Sequence, residues 1–227
     1  MKVFSSWSGG KESCMACYKA IEQGLDVSYL LNFIDWERKR RSHGVRTDIL
    51  RAQSEALSIP IIQRKTTWED YESTFKKVAG ELKQENVCGG VFGDIDIQEH
   101  RHWVERVCTE VGIKPFLPLW GRRQEELMHE LVDTGFKAII IVLDKNAVSE
   151  DFLGQIIDKG FIEELKQRGI SPCGESGEYH TLVVDGPIFK KRLDIEDSRK
   201  VTAGDRVMMD ITGLSLPEKE VDGEQDD

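Results

Sequence analysis

Residues 3–13, VFSSWSGGKES, constrain the fold of this chain more than any other stretch. A short β-branched and aromatic run ends at Trp7, two adjacent glycines and a lysine follow, and apolar residues then recur at helical spacing through Met15, Tyr18, Ala20 and Ile21. Strand, glycine loop, helix is the entry unit of an open α/β sheet. The alternation continues: residues 27–34 (VSYLLNFI) form a near-continuous apolar run, the pattern of a strand buried on both faces. Ile49, Leu50, Gln53, Ala56 and Leu57 share one helical face, and Pro60 precedes a short strand at Ile61 and Ile62. Tyr71, Phe75, Val78, Ala79 and Leu82 mark another helix and residues 87–95 (VCGGVFGDI) a strand. Trp103, Val104, Val107, Cys108 and Val111 then trace a helix closed at Gly112. This rhythm predicts a doubly wound α/β domain with a mainly parallel sheet, whose ligand crevice lies at the carboxyl ends of the strands. Loops 8–13, 35–46 and 93–102 frame the expected site.

After Pro115 and Pro118 the pattern tightens into a helix over about 124–132, a strand over 138–143, helical stretches over 151–167, a strand at 182–184 and two later strand candidates. The expected division is a first domain over 1–120, a second, smaller α/β domain over 121–214 and an acidic tail over 215–227, with no internal repeat. With 39% hydrophobic residues in 227, the chain can bury a real core. Lys and Arg number 31 against 41 Asp and Glu, and the resulting net charge of −10 argues against broad affinity for nucleic acid. No apolar run reaches the roughly 18 residues of a membrane helix, and the N-terminus lacks a signal-peptide pattern, so the expected location is cytoplasmic. Five scattered cysteines suit reduced thiols better than a disulfide framework.

The loop Ser8-Gly9-Gly10-Lys11-Glu12-Ser13 brings bare N–H groups, a cation and the positive end of a helix to one point, which suits an anion. It is not a Walker A loop: GxxxxGK[ST] would need Gly at position 5 and Ser or Thr at position 12, where this chain has Ser5 and Glu12. A second polar segment, 174–181 (GESGEYHT), offers Glu175, Glu178 and His180, able to bind a cation or take a proton. Asp94, Asp96, Glu99, His100 and His102 cluster after the fourth strand and suit metal, substrate or helix capping. His43 lies in the loop after the second strand, beside the basic run Arg38-Lys39-Arg40-Arg41. Cys14 and Cys17 form a CxxC inside the first helix, where core packing outweighs metal or redox use.

SGGKES at 8–13 resembles the SGGKDS pyrophosphate loop of the ATP pyrophosphatases, a HUP-like fold. Together with Gly93-Asp94-Ile95, residues 101–108 (RHWVERVC), Pro118-Leu119-Trp120, GESGEYHT and Asp185-Gly186-Pro187, it resembles the diphthine-ammonia ligase family from about Lys2 to Ile195. The resemblance implies an ATP-dependent ligase that adenylates the carboxylate of diphthine on elongation factor 2 and transfers ammonia from ammonium, releasing AMP and pyrophosphate. Mg²⁺ would accompany ATP. The first domain then becomes the ATP-binding pyrophosphatase unit and the second the substrate-binding unit. The implied ATP-contacting set is Ser8, Gly9, Gly10, Lys11, Glu12, Ser13, His43 and Gly93. The substrate-contacting set is Asp94, Arg101, Glu105, Glu175, Gly177, Glu178, Tyr179 and His180. Lys11, Glu175, Glu178 and His180 carry the chemistry, with no resident metal site and with homo-oligomerisation left open. Two positions depart from the ligase pattern. Glu12 replaces an Asp, and His180 replaces the Glu of EGGEYE, so that ESGEYH lies closer to a sister group with ENGE(F/Y)H linked to cobalamin metabolism. The rival readings are the same ATP chemistry on a small carboxylate such as a corrinoid, a nucleotide-binding regulatory module without turnover, and tRNA thiolation through Cys14 and Cys17.

Overall fold

The computed structural model describes residues 1–35 and 45–219. The first five strands are β1 (Lys2–Ser6), β2 (Asp26–Asp35), β3 (Ile61–Thr66), β4 (Gly89–Val91) and β5 (Lys114–Phe116). They pair in parallel in the order β3-β2-β1-β4-β5, a doubly wound sheet as expected. Four helices connect them: α1 (Lys11–Glu22), α2 (Thr47–Leu57), α3 (Tyr71–Gln84) and α4 (Gln98–Val111). Strand alternation divides the sheet's two faces. Val3 and Leu30 face α1 and α2, whereas Phe4 and Leu31 pack with Phe75, Val78, Val104 and Val107 of α3 and α4.

The second sheet is antiparallel, in the order β7-β6-β9-β8, from β6 (Lys137–Asp144), β7 (Tyr179–Asp185), β8 (Asp194–Ala203) and β9 (Arg206–Ser215). Helices α5 (Gln124–Asp133) and α6 (Lys159–Gln167) cover it. One apolar cluster runs from Val3 and Leu30 through Cys14, Met15 and Cys17 of α1 to Ile140, Leu182 and Val207, so α1 lies between the two sheets. That is why α1 buries even Lys11 and Ser13.

Three readings of the sequence needed correction. The strand expected over 87–95 shrinks to Gly89–Val91, the stretch that pairs with Val3–Ser5 of β1 on one side and with the three-residue β5 on the other. Lys114–Phe116, passed over for its proline, is an edge strand, where a residue without an N–H is tolerated. The helical reading of 151–167 divides into a 3-10 turn at Glu150–Phe152 and α6, whose start is capped by Asp158 accepting from the Phe161 N–H at 2.8 Å. Among the described residues no helix is long and apolar enough to cross a membrane. Of the expected tail over 215–227, Ser215 ends β9 and Lys219 Nζ donates to the Gly186 carbonyl at 2.8 Å, while residues 220–227, like Arg38-Lys39-Arg40-Arg41, lie outside the described residues.

Candidate active site

The glycine loop leaves β1 at the point where the strand order reverses, between β1 and β4, and Gly9 takes a left-handed φ of +80° to turn into α1. Its carbonyl accepts from the Val183 N–H of β7 at 2.9 Å and from Gln53 Nε2 of α2 at 3.0 Å. The Lys11 N–H donates to Thr181 Oγ1 at 3.1 Å. Two segments some 170 residues apart in the chain are thus joined by one main-chain bond and one bond from main chain to the Thr181 side chain. The Gly10 N–H points to Ser8 Oγ at 3.3 Å, which donates in turn to Ser13 Oγ at 3.2 Å. A hydroxyl oxygen at the head of α1 occupies the kind of position an oxyanion would take, so this loop fits a phosphate group.

Lys11 does not reach out of the loop. It is 4% exposed, its Nζ donates to the Cys173 carbonyl at 2.7 Å, sits 2.6 Å from Glu12 Oε1 and lies 4.5 Å above the Tyr179 ring. Burial is the largest influence and disfavours its ammonium, but Glu12, Tyr179 and Cys173 together more than offset it and leave the pKa above the ordinary lysine value. Glu12 Oε1, shut off from solvent, has no hydrogen-bond donor of good geometry among the described residues. Tyr179 is buried beneath Lys11, its hydroxyl donates to the Pro172 carbonyl, and burial pushes its phenol up. Lys11 and Tyr179 therefore join the glycine loop to the polar segment at 173–181.

Glu175 stands in the field of this cluster. Burial, reinforced by the charges of Glu12, Asp96 and Asp94 and opposed by Lys11, pushes its carboxyl up to about 7. Gln124, at the start of α5, organises the approach: its Oε1 accepts from Ser171 Oγ at 2.5 Å and the Cys173 N–H at 3.2 Å, and its Nε2 donates to Asp96 Oδ2 at 2.6 Å. Gly93 packs against Glu12, since a Cβ there would lie 3.0 Å from the Glu12 carbonyl. Asp94, raised by burial, is steadied by His100 Nδ1 at 3.2 Å.

The other expected residues sit differently. Tyr179 and Thr181 turn toward Lys11, and His180, one residue out of phase on β7, has Arg206 Nη1 3.4 Å away. Glu178 Oε2 accepts from the Ser176 N–H at 3.0 Å, closing the turn that contains Gly177. Arg101 pairs with Glu105 at 2.7 Å and lies over the Trp120 ring. His102 meets Gln98 at 2.8 Å. His43 lies outside the described residues. Among the described residues no group of three or more His, Cys, Asp or Glu is arranged to hold a metal ion. Cys14 and Cys17 are buried with their thiols pushed up by desolvation, Cys17 to about 12, which suits packing and not nucleophilic use. Sequence reasoning missed Gln124 as a site residue and noted Gln53 only as a point on a helical face. The one signal was a glutamine where that face is otherwise apolar.

Comparison with known proteins adds an independent line. The model of the diphthamide synthase N-terminal domain matches residues 1–115 and that of the diphthamide synthase C-terminal domain matches residues 123–216. Diphthine–ammonia ligase of Bos taurus is 28% identical, the match covering 89% of this chain and 85% of that protein. The Homo sapiens diphthine–ammonia ligase is also 28% identical, over 88% of this chain and 85% of its own length. The Schizosaccharomyces pombe diphthine–ammonia ligase is 29% identical over 88% of this chain, which spans 37% of that longer protein. A solved structure described as a predicted subunit of tRNA methyltransferase from Methanocaldococcus jannaschii is similar with a TM-score of 0.46 at 17% identity, covering 82% of this chain and 97% of that one.

Proposed function

The chain belongs to the diphthamide synthase family, and from that premise we propose that it is an ATP-dependent carbon–nitrogen ligase that converts the carboxylate of diphthine on elongation factor 2 to the amide. The observation that supports the reading is the pinning of the glycine loop to β7 through Val183 and Thr181, with Glu175 in the field of the loop's Glu12 and Lys11.

A carboxylate resists ammonia because its carbon is shielded by negative charge and oxide is a poor leaving group. Attack of the acceptor carboxylate on the α-phosphorus of ATP yields an acyl-adenylate and pyrophosphate. Neutral ammonia then displaces AMP, and the proton lost from ammonium must go to a base. The loop N–H groups with Ser8 and Ser13 hold the departing pyrophosphate. The Lys11 ammonium sits at the junction of the loop and the acceptor side, where its charge offsets the charge developing on the leaving group. Mg²⁺ would supply further charge neutralisation when bound with ATP. Glu175, held near 7, is matched to take the proton from ammonium. The first domain, 1–120, supplies the ATP side and residues 121–214 the acceptor side. The solvated polar surface between loop 93–102 and the turn at 174–178 is where diphthine enters.

His180 marks the place where the acceptor is decided. Arg206 of β9, 3.4 Å from its ring, places a cation beside that position on the sheet. The experiment compares ammonium-dependent AMP release with diphthine-bearing elongation factor 2 and with a corrinoid carboxylate. The factor alone should support turnover, with its mass changing from acid to amide. Turnover only with the corrinoid would overturn the acceptor assignment and keep the ATP chemistry. No AMP with either, while ATP still binds, would favour a regulatory module.

A further inference from the structure

Gln53 is fully buried, at 0% exposure, on the apolar face of α2 among Ile49, Leu50, Ala56 and Leu57. A buried amide is costly unless its hydrogen bonds are made, and here they are. Nε2 donates to the Gly9 carbonyl at 3.0 Å and to the Val183 carbonyl at 2.7 Å, and Oε1 accepts from Trp7 Nε1 at 3.0 Å. The chemistry fixes the amide's orientation. Two carbonyls need donors and an indole N–H needs an acceptor, so a flipped amide would oppose like groups at all three contacts.

In a trans peptide the C=O and the following N–H point in opposite directions. Holding the Gly9 oxygen against Gln53 and the Val183 N–H therefore turns the Gly10 N–H the other way, to where Ser8 Oγ accepts it at 3.3 Å. Gly9, with its φ of +80° and no side chain, gives the peptide plane little resistance of its own to rotation. Rotated, that plane would present a carbonyl oxygen to the position where the loop must receive an anion. We infer that Gln53 is a positioning residue for the nucleotide site: it locks the Gly9–Gly10 peptide with its N–H turned toward the anion, and through Val183 it ties that geometry to the acceptor-side strand. Gln53 touches no reacting atom and acts through Gly9. The inference rests on the reading of loop 8–13 as a pyrophosphate site.

The test is calorimetric titration of the full chain with inorganic pyrophosphate in a Mg²⁺ buffer, for the wild type and for Gln53→Glu, Gln53→Met and Trp7→Phe. Gln53→Glu is close to isosteric and keeps the acceptor for Trp7 but loses both donors as the carboxylate and keeps only one as the buried acid. Gln53→Met loses all three bonds. Trp7→Phe keeps both donors and disturbs the same buried patch, so it reports destabilisation alone. Both Gln53 variants should bind pyrophosphate about tenfold or more weakly, a loss of about 1.4 kcal/mol. Trp7→Phe should bind within about twofold of wild type even where its thermal midpoint falls as far. Equal binding by the wild type and the Gln53 variants overturns the positioning role. A wild type that does not bind pyrophosphate overturns the pyrophosphate-loop reading instead. If neither Gln53 variant folds, the wild type carries the test by nuclear magnetic resonance. Pyrophosphate should shift the Gly10 amide proton and leave the Gly9 carbonyl carbon and the Gln53 side-chain amide in place. The reverse pattern overturns the lock.

Discussion

Glu175 ties the chemistry of the site to the stability of the fold. Its carboxyl is raised to about 7 from an ordinary 4.5, first by burial and then by the charge of Glu12. Between those two values the folded protein holds a proton that the unfolded chain has released, so the contribution of Glu175 to stability falls as pH rises through the window. Glu175→Gln should flatten that part of the stability–pH curve, read from urea unfolding midpoints between pH 4.5 and 8, and should abolish ammonium-dependent turnover. An unchanged slope would mean that the carboxyl titrates normally. Gly9 allows an equally direct test, because a Cβ there meets Gln53 Oε1 at 2.5 Å in a left-handed conformation. Gly9→Ala should cost about 1–3 kcal/mol in thermal unfolding and weaken pyrophosphate binding together. At this scale the sequence marked the tight turn at Gly9 and the polar turn at 174–178, because glycine pairs and clustered polar residues set local turns. Gln53 and Gln124 were not, since a buried amide is identified by the carbonyls it meets, and those come from distant parts of the chain.

Helix α1 and strand β7 carry the site between them. The helix receives its buried face from both sheets, and β7, paired to β6 on one edge, presents its other edge to Gly9 and Lys11. Thr181→Val, nearly isosteric, removes the acceptor of the Lys11 N–H. It should lower stability by about 1–3 kcal/mol, since a buried donor is left unpaired. It should also raise the KM for ATP with little change for the acceptor, and steady-state kinetics with each substrate varied in turn checks this split. Most elements of the first half were legible, because strands buried on two faces and helices buried on one write different periodicities. Lys114–Phe116 was not, as its proline masks an edge strand. Residues 151–167 lost their helical continuity at Gly154 and regained it only at the Asp158 cap. The antiparallel pairing of β8 and β9 follows from the tight turn at Gly204, and no periodicity revealed it.

The molecule is held as one body by a shared core and by main-chain bonds between its halves. Besides the loop contacts, the Ala56 carbonyl of α2 accepts from the N–H groups of Lys190 and Lys191 at 2.7 and 3.1 Å. Thermal unfolding followed by far-ultraviolet circular dichroism and by tryptophan fluorescence should therefore give coincident transitions. Two separated transitions would show that the halves fold independently and that the site forms only by loose docking. The change of pattern near Trp120 precedes the antiparallel sheet, but the packing of both sheets on α1 was not legible, since it depends on which edge of β7 meets the loop. The proposed reaction turns on attack of the acceptor carboxylate on the α-phosphorus of ATP. Diphthine-bearing elongation factor 2 labelled with oxygen-18 in that carboxylate, incubated with the protein, MgATP and ammonium, tests it most directly by mass spectrometry of the nucleotide product. AMP should carry one labelled oxygen. ADP together with labelled inorganic phosphate would contradict it.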